Sequence, residues 1–447
     1  MDLNQKVSRR AALKGMGAAA GAAALLPLAS GALASSRGPV RDASGKRFQA
    51  GTYDGVTLRV LNQAGVAYEP ALTQFAADFK AATGADVQFD PTPWETMMSK
   101  AQANVAAGGG QYDIFIGDIE FAYTLYPSLV AINDMITASG YSLDGLFAPT
   151  LKYSEGIGGQ AGVRYGLPVT TSVSPIIYRT DLIPEFPTTW ADYEKVLTDL
   201  KATMPAPLAF AGVPSQLVKL FLARYWSTGD PLLTPDWKPL INSDNGVKAL
   251  ESLISFKDQF ANSGVLAWDN PEASQAFVNG DAAVLEGWGS FVFPSLEDPS
   301  ISKIGDKWAV TYYPEGGTGN MTQHNGIIFN TSKNAQAAFD FLAYATGDKG
   351  ALSTLVDFHE DSAREALWSD PAVVAVDPWR PQFAEVVNHG KPFTPGLPQW
   401  LDLFIAVAEG VSAAMAGTAT PKDALDQMAA KWDASIQQAV PTWAYAE

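Results

Sequence analysis

A tryptophan between two glycines is the first feature of this sequence that points to chemistry. Glu286-Gly287-Trp288-Gly289 lies within the stretch VNGDAAVLEGWGSF. The glycines leave the indole of Trp288 few neighbouring side chains to cover it. One interpretation is that the ring fills the core where a buried strand ends in a turn. The interpretation we favour is that a loop at a strand end presents the ring to a flat apolar ligand surface, with Glu286 beside it.

Other polar and aromatic side chains also fall at the ends of predicted strands. Asn62 and Gln63 end the first strand, Trp94 follows the second, and Asp118 and Glu120 follow the third. In α/β sheets, ligands bind beyond the carboxyl ends of the strands. These residues are therefore candidates for a binding site, although a tryptophan at the position of Trp94 equally suits a first helical turn that covers the sheet.

Signatures of catalytic and cofactor sites are missing from the sequence. It has no G-x-S-x-G elbow, no P-loop, and no G-x-G-x-x-G after the first strand. His359-Glu360 begins an H-E-x-x-H motif, but Ala363 takes the place of the second histidine. The absence of cysteine and a total of three histidines leave few metal ligands. Acids are numerous, but their spacing does not show a glycosidase pair. We predict no catalytic residue, no metal site and no cofactor.

The elements that position these residues alternate between β-rich and helical patterns. VTLRVLNQAG, ADVQFD and YDIFIGD read as strands, and EPALTQFAADFKAATG and PWETMMSKAQANVAAGGG read as helices. Pro70 suits the first turn of the first helix, and Gly84 suits its end. This rhythm predicts an α/β fold with a parallel sheet. Beyond Tyr165 an extended run, YGLPVTTSVSPIIY, leads into further helices, one of them capped by Thr188 or Thr189.

Charge and the N-terminal segment bear on partners and location. A formal net charge of −17 over 447 residues argues against nucleic acid and against an anionic membrane surface as partners. Residues 1–34 resemble a twin-arginine export signal, with Arg9-Arg10, a weak apolar run, and Ala32-Leu33-Ala34 for cleavage. Ala12 stands where phenylalanine is usual. Because no cysteine follows, we expect a free, unlipidated protein in the periplasm.

Several segments occur in a characteristic order between Val56 and the C-terminus. They include LTQFAADFKAATGADVQF, AAGGGQYDIFIGD, YGLPVTTSVSPIIYRTDLI, AFVNGDAAVLEGWGSF and AGTATPKDALDQMAAKWDASI. Together they resemble the extracellular solute-binding proteins of ABC importers, specifically the family 1 carbohydrate-binding group that includes maltodextrin-binding proteins.

The resemblance implies an α/β, periplasmic-binding-protein-like type II fold, in which two lobes with central sheets flanked by helices are joined by a multi-crossing hinge. The implied segments are a signal peptide at 1–34, a flexible, disordered leader at 35–55, lobe 1 at 56–168 and 323–392, and lobe 2 at 169–322 and 393–447. Hinge crossings are expected at 169–174, 323–327 and 393–397. The implied function is to bind a sugar or polyol between the lobes and deliver it to a membrane permease, without chemistry and as a monomer.

A sugar presents hydroxyl groups at its edge and C–H groups on its faces, so its site needs polar side chains together with aromatic rings. The candidate ligand-binding residues are Trp288, Glu286, Asp118, Glu120, Gln63, Asn62, Trp94, Thr171, Ser172, His324, Asn325, Arg364, Trp379, Arg380, Trp400 and Gln216.

Some of these assignments have a competing structural interpretation. Arg364 matches a family segment that can bring an arginine to the ligand, but an ion pair would suit it nearly as well. Trp400 and Phe404 are one turn apart on a helix that borders the cleft in the family, a spacing that also makes a core stripe. Trp379-Arg380 lies between prolines, where we expect an exposed loop.

Departures from the family leave the ligand class open. The loop after the first strand, Ala64-Gly65-Val66, lacks the acidic and basic side chains of maltodextrin-binding members, and GDIEFA lacks their basic residue. A smaller sugar, a disaccharide or a polyol is therefore at least as well supported. A second hypothesis is an anion clamp of Arg364, Arg380 and His324 for a uronate or phosphorylated polyol. A third is a secreted carbohydrate-active enzyme.

Overall fold

The computed structural model describes residues 40–42, 45–393 and 395–444. The predicted signal peptide at 1–34 lies outside the described residues. Within the predicted leader, Phe48 packs edge-on against Phe79, with ring centroids 5.6 Å apart, and the hydroxyl of Tyr53 donates to the carboxylate of Asp340. This part of the leader therefore differs from the expected disorder, because its aromatic side chains find apolar and polar partners on the folded chain.

Strands and helices alternate along the described chain. The strands are β1 (Thr57–Gln63), β2 (Asp86–Thr92), β3 (Ile114–Asp118), β4 (Gly166–Val173), β5 (Ile176–Arg179), β6 (Leu208–Phe210), β7 (Val284–Glu286), β8 (Trp308–Thr311), β9 (Asn320–Ile328) and β10 (Lys391–Pro392). The helices are α1 (Glu69–Thr83), α2 (Trp94–Ala106), α3 (Ile119–Leu125), α4 (Asn133–Ser139), α5 (Ala148–Tyr153), α6 (Trp190–Leu200), α7 (Pro214–Trp226), α8 (Asp244–Phe260), α9 (Asn270–Val278), α10 (Gly289–Glu297), α11 (Ala335–Thr346), α12 (Asp348–Asp357), α13 (Pro371–Val376), α14 (Arg380–Asn388), α15 (Trp400–Met415) and α16 (Pro421–Ile436). No helix among these described residues is long and apolar enough to cross a membrane.

Local sequence signals explain several helix boundaries. Helix α1 has Pro70 in its first turn and ends at Gly84, whose left-handed backbone (φ 88°) allows its N–H to donate to the carbonyl of Lys80. Of the two threonines considered before α6, Thr189 is the cap, and its side chain accepts from the N–H of Asp192. The predictions for these two helices are confirmed.

The strands form two sheets, which confirms the α/β prediction. In the first sheet β1 lies between β2 and β3 and pairs with both in parallel, as the sequence rhythm predicts. Strand β9 then pairs antiparallel with β3 and β4, and β10 joins β9. The second sheet has the order β6-β7-β5-β8. Helices α7, α8 and α15 contact one another, α16 packs on α8 and α15, and the four helices enclose an apolar core beside the second sheet.

Two edges of these sheets matter for the site. The first edge comprises the carboxyl ends of β1, β3 and β4 and the amino-terminal half of β9, where Asp118 pairs with His324 and Thr171 with Gln323. The second edge comprises the start of β5 and the ends of β7 and β8, where Ile176 pairs with Glu286 and Thr311. Only residues 174–175 separate β4 from β5, so the two edges adjoin. The lobe boundaries and hinge crossings stay a prediction.

Candidate functional site

A carboxylate lies at the centre of the first edge. The Oδ2 of Asp118 accepts from the indole N–H of Trp94 at 2.7 Å, and its Oδ1 accepts from the hydroxyl of Thr322 at 2.8 Å. The Nε2 of His324 is 2.8 Å from the same Oδ1. The Nδ1 of His324 lies 2.6 Å from the hydroxyl of Tyr68. The structure thus brings three sequence candidates, Asp118, Trp94 and His324, into one polar network.

The network keeps Asp118 ionised. Burial alone would raise the pKa of this carboxyl, but the neighbouring His324, Trp94 and Thr322 outweigh it and lower the pKa below its ordinary value of 3.8. An imidazole that donates from Nε2 to Asp118 and accepts at Nδ1 from Tyr68 satisfies both contacts. The first edge therefore presents a fixed negative charge, and the rings of Trp94 and His324 are already oriented toward it.

Around this network, several buried polar atoms at the first edge have no hydrogen-bond partner among the described residues. They are Asn62 Oδ1, Gln63 Oε1, Ser172 Oγ, Gln323 Oε1 and Asn325 Nδ2. Apart from Gln323, these side chains belong to candidates predicted from the sequence. Since buried polar groups are normally hydrogen-bonded, these unpartnered acceptors and donors call for a polar partner beyond the described contacts.

Aromatic rings flank the first edge. Trp94 is partly exposed, and its ring lies 6.2 Å from that of Trp400 and 5.7 Å from that of Phe404. Trp400 is buried on α15, and its indole N–H has no partner among the described residues. The two predicted tryptophans thus lie together, with Trp94 at the surface and Trp400 behind it.

The second edge contains a different cluster. The indole N–H of Trp288 donates to Oε1 of Gln216 at 3.0 Å, so two candidates chosen separately from the sequence are in direct contact. The ammonium group of Lys219 donates to the same oxygen at 2.7 Å and lies 5.1 Å from the centre of the Trp288 ring. Trp288 is only partly buried, and the side chain of Phe291, one turn on, is 51% exposed.

Glu286, the predicted neighbour of Trp288, lies in the interior. Both of its carboxylate oxygens accept from the guanidinium of Arg224, at 2.9 and 3.0 Å, and Oε1 also accepts from Tyr193 at 3.3 Å. Glu286 is the last residue of β7, which lies between β6 and β5 and is buried throughout, whereas Trp288 follows in the loop before α10. The acid thus makes a buried bidentate ion pair rather than a contact at the sheet edge.

Arg380 and Trp379 differ from the exposed loop pair expected from the prolines. Arg380 begins α14 and is fully buried. Its guanidinium donates to Asp361 at 2.7 Å and to Asp377 at 2.8 Å, and it lies 4.7 Å from the ring of Trp379. The indole of Trp379 packs 4.2 Å from Phe293. The expectation of exposure is wrong for Arg380, because two buried carboxylates need its charge.

The remaining candidates are engaged inside the protein. Arg364 donates to the main-chain carbonyls of Ser142, Asp144 and Thr346. The hydroxyl of Thr171 is 2.7 Å from that of Thr150. Glu120 is buried on α3. These side chains are not among the unpartnered atoms of the first edge.

One group of potential metal ligands occurs among the described residues. Glu297, His359 and Asp377 each place one ligand atom within 4.8 Å of the others. Protein partners already engage two of them, because Trp379 donates to Glu297 and Arg380 donates to Asp377. None of the three residues belongs to the strand ends that form the two edges.

Sequence reasoning missed four residues at the two edges. Tyr68 and Thr322 belong to the Asp118 network, Gln323 adds an unpartnered oxygen to the first edge, and Lys219 belongs to the Trp288 cluster. A signal for Lys219 exists, since a single lysine within the apolar stretch LVKLFLARYW lies one turn from Gln216. Tyr68 carries no comparable signal, because its contact with His324 joins residues far apart in the chain.

Comparisons with known proteins find relatives that match most of the chain. Residues 74–360 match the family described as bacterial extracellular solute-binding protein. The probable amino-acid ABC transporter periplasmic-binding protein y4oP of Sinorhizobium fredii is 23% identical over 400 residues, which cover 87% of this chain and 91% of that protein.

Two solved structures are similar over most of their length. A solute-binding protein of Agrobacterium radiobacter K84 in complex with ribitol has a TM-score of 0.75 and 23% identity, and the match covers 85% of this chain and 99% of that one. Maltose-bound MalE3 of T. maritima has a TM-score of 0.75 and 20% identity, with the same two coverages. These similarities confirm the predicted periplasmic-binding-protein fold.

Proposed function

This chain belongs to the bacterial extracellular solute-binding proteins, and we propose that it binds a sugar or polyol between the first and second edges and delivers it to the permease of an ABC importer. The proposal includes binding without turnover, export through the twin-arginine pathway, a periplasmic location without a lipid anchor, and a monomeric state. The ligand class is supported by the similar proteins whose structures contain ribitol and maltose.

The observation that carries the proposal is the set of unpartnered buried polar atoms at the first edge. The amide oxygens of Asn62, Gln63 and Gln323 accept hydrogen bonds, and the amide nitrogen of Asn325 donates them. The hydroxyl of Ser172 can donate and accept. These atoms lie on neighbouring strands of one sheet, so a ligand that satisfies several of them must carry groups that both donate and accept hydrogen bonds. Hydroxyl groups on adjacent carbons of a sugar or polyol meet this requirement.

The ionised Asp118 and the tryptophans supply the other elements of such a site. A carboxylate makes charge-assisted hydrogen bonds with hydroxyl donors, and these are stronger than neutral ones. The partly exposed rings of Trp94 and Trp288 offer apolar surfaces for the C–H faces of the ligand, one at each edge. A ligand that contacts both edges favours a closed arrangement, so loading would be a population shift toward closure.

An anionic ligand has less support. The clamp hypothesis uses Arg364, Arg380 and His324, but Arg380 is paired with Asp361 and Asp377, and His324 contacts Asp118. The guanidinium of Arg364 lies 3.1 Å from Asp348. The two guanidinium charges are therefore already paired inside the protein, and both ring nitrogens of His324 already have partners in Asp118 and Tyr68.

A thermal-shift panel tests the proposal. Ribitol, D-mannitol, erythritol and maltose form one arm, and D-glucuronate, glucitol 6-phosphate and several amino acids form the other. The amino acids are included because y4oP carries that name. We expect saturable stabilisation by at least one neutral polyhydroxyl compound, with no product after prolonged incubation. Stabilisation by the anions or amino acids alone would contradict the proposal.

A further inference from the structure

Two cations lie on helix α7, and they have different surroundings. Arg224 forms the bidentate pair with Glu286. Lys219, of which only 3% is exposed, has no carboxylate within ion-pair distance among the described residues. Its described hydrogen bond goes to the neutral Oε1 of Gln216, and the indole of Trp288 lies beside it. A buried ammonium ion with one neutral acceptor and one ring has unused donors.

The face of α7 that carries Lys219 runs along the junction of the two sheets. Gln216, Lys219, Ala223 and Trp226 fall within about 80° of one another on the helix. At the far end of this face, the Nζ of Lys391 in β10 lies 5.7 Å from the ring of Trp226. A Cβ at Gly317, in the crossing between β8 and β9, would lie 2.7 Å from the carbonyl oxygen of Ala223. The face therefore extends from the second edge to the first sheet.

The cost of burying this cation calls for a compensating contact. An isolated charge in the interior is expensive unless it is paired or hydrogen-bonded. Burial lowers the pKa of Lys219 from 10.5 to about 7, and Asp269 and Glu286 only partly oppose this effect. Glu286 is itself committed to Arg224, one turn further along α7. An additional acceptor would have to come from outside the described contacts.

We propose that Lys219 is the specificity-determining residue of the second edge and that its ammonium group donates hydrogen bonds to hydroxyl oxygens of the bound sugar or polyol. This inference rests on the proposed function and adds to it one ligand-binding residue and a coupling between ligand binding and protonation. Gln216 orients the ammonium group, and the Trp288 ring fixes its other side. The charged donor of the second edge then complements the charged acceptor, Asp118, of the first edge.

A proton linkage follows from this arrangement. Binding that uses the ammonium form favours protonation, so the pKa of Lys219 rises in the complex. Between about 7 and that higher value the protein takes up a proton when it binds. Affinity is then highest below the pKa of the unliganded protein and falls as the pH rises above it.

The test is calorimetric titration of the full mature chain with ribitol, D-mannitol and maltose. Lys219→Met retains the length of the side chain and removes the charge, and Lys248→Met makes the same change at an exposed position of the neighbouring α8. We expect Lys219→Met to weaken binding roughly 10- to 100-fold, the range for a lost charge-assisted hydrogen bond. Lys248→Met should bind as wild type does.

A second measurement uses the wild-type protein and does not depend on the variant's folding. Titrations near pH 8 in phosphate and in Tris give binding enthalpies that differ if a proton is taken up. We expect uptake by wild type and Lys248→Met, and none by Lys219→Met. Two results would overturn this inference and leave the proposed function standing. One is ligand binding by the wild-type protein without proton uptake, and the other is equal affinity of wild type and Lys219→Met for the ligand. If the wild-type protein binds none of the three compounds and no neutral polyhydroxyl compound of the thermal-shift panel stabilises it, both this inference and the proposed function are overturned.

Discussion

Arg224 and Lys219 lie on the same helix and are both buried, yet they have opposite environments. Both oxygens of Glu286 accept from Arg224, whose guanidinium also lies 4.6 Å from the ring of Trp190. Among the described residues, the ammonium group of Lys219 donates to the neutral Gln216, lies beside the ring of the partly exposed Trp288, and forms no ion pair. The first cation is satisfied by the protein itself. The second has unused donors at the second edge, which is the difference expected between a structural charge and a ligand-binding charge.

The same contrast separates the sequence candidates. Glu286 and Arg380 are charged residues whose partners lie inside the fold. The amides of Asn62 and Gln63 at the first edge have oxygens without partners among the described residues. Changes to the first group should therefore affect stability, and changes around the second group should affect binding.

The largest effect is expected from breaking the structural pair. Glu286→Gln leaves the guanidinium of Arg224 buried without its counter-charge, and we expect a loss of about 3–5 kcal/mol in the free energy of unfolding. Denaturant unfolding measures this loss. The double variant Arg224→Met with Glu286→Leu removes both charges and should recover much of it. If the single variant is as stable as wild type, the pair is not structural.

A smaller effect, on affinity rather than stability, is expected at the second edge. Trp288→Ala removes an indole that we propose stacks on the ligand, and we expect binding to weaken by about 1–2 kcal/mol, or roughly 5- to 30-fold. Titration calorimetry with the best ligand of the panel measures it. Trp379→Ala is the matched control, because its indole packs on Phe293. Equal losses of affinity in both variants would contradict the distinction between an indole that binds the ligand and an indole that packs inside the protein.

The smallest effect is expected in the acid stability conferred by Asp118. Its pKa is lower in the folded protein than its ordinary value of 3.8. The carboxylate therefore stabilises the fold above that value, and this contribution disappears as the pH falls through the lower folded pKa. Asp118→Asn should cost about 1 kcal/mol at neutral pH and reduce the loss of stability that occurs as the pH falls below the ordinary value of 3.8. Urea unfolding of the wild type and of Asp118→Asn at a series of pH values measures this difference. Parallel plots of the free energy of unfolding against pH would show that Asp118 has no such role.

Local patterns allowed the sequence to predict much of the fold. Pro70 and Gly84 mark the ends of α1, and Thr189 caps α6, because these signals act within a few residues. Sequence position also placed Asn62, Gln63 and Asp118 at one sheet edge, since the carboxyl ends of parallel strands meet there.

Partnerships between distant residues were not predictable in the same way. The pairing of Glu286 with Arg224 joins positions 62 residues apart, and Tyr68 reaches His324 across 256 residues. No local pattern encodes which of many acids a buried arginine will meet. The sequence could therefore nominate polar residues at the edges, but it could not separate those used by the fold from those with unused hydrogen-bonding groups.

Hydrogen–deuterium exchange with and without the polyhydroxyl compound that gives the largest thermal shift tests whether one ligand contacts both sheet edges. We expect bound ligand to slow exchange together at the first edge, in residues 62–65 and 172–174, and at the second edge, in residues 286–291. A competing location is the surface depression beside α1 that is lined by Glu69, Thr73 and Phe358. Protection confined to that depression, or to one edge alone, would contradict a site shared by both sheets.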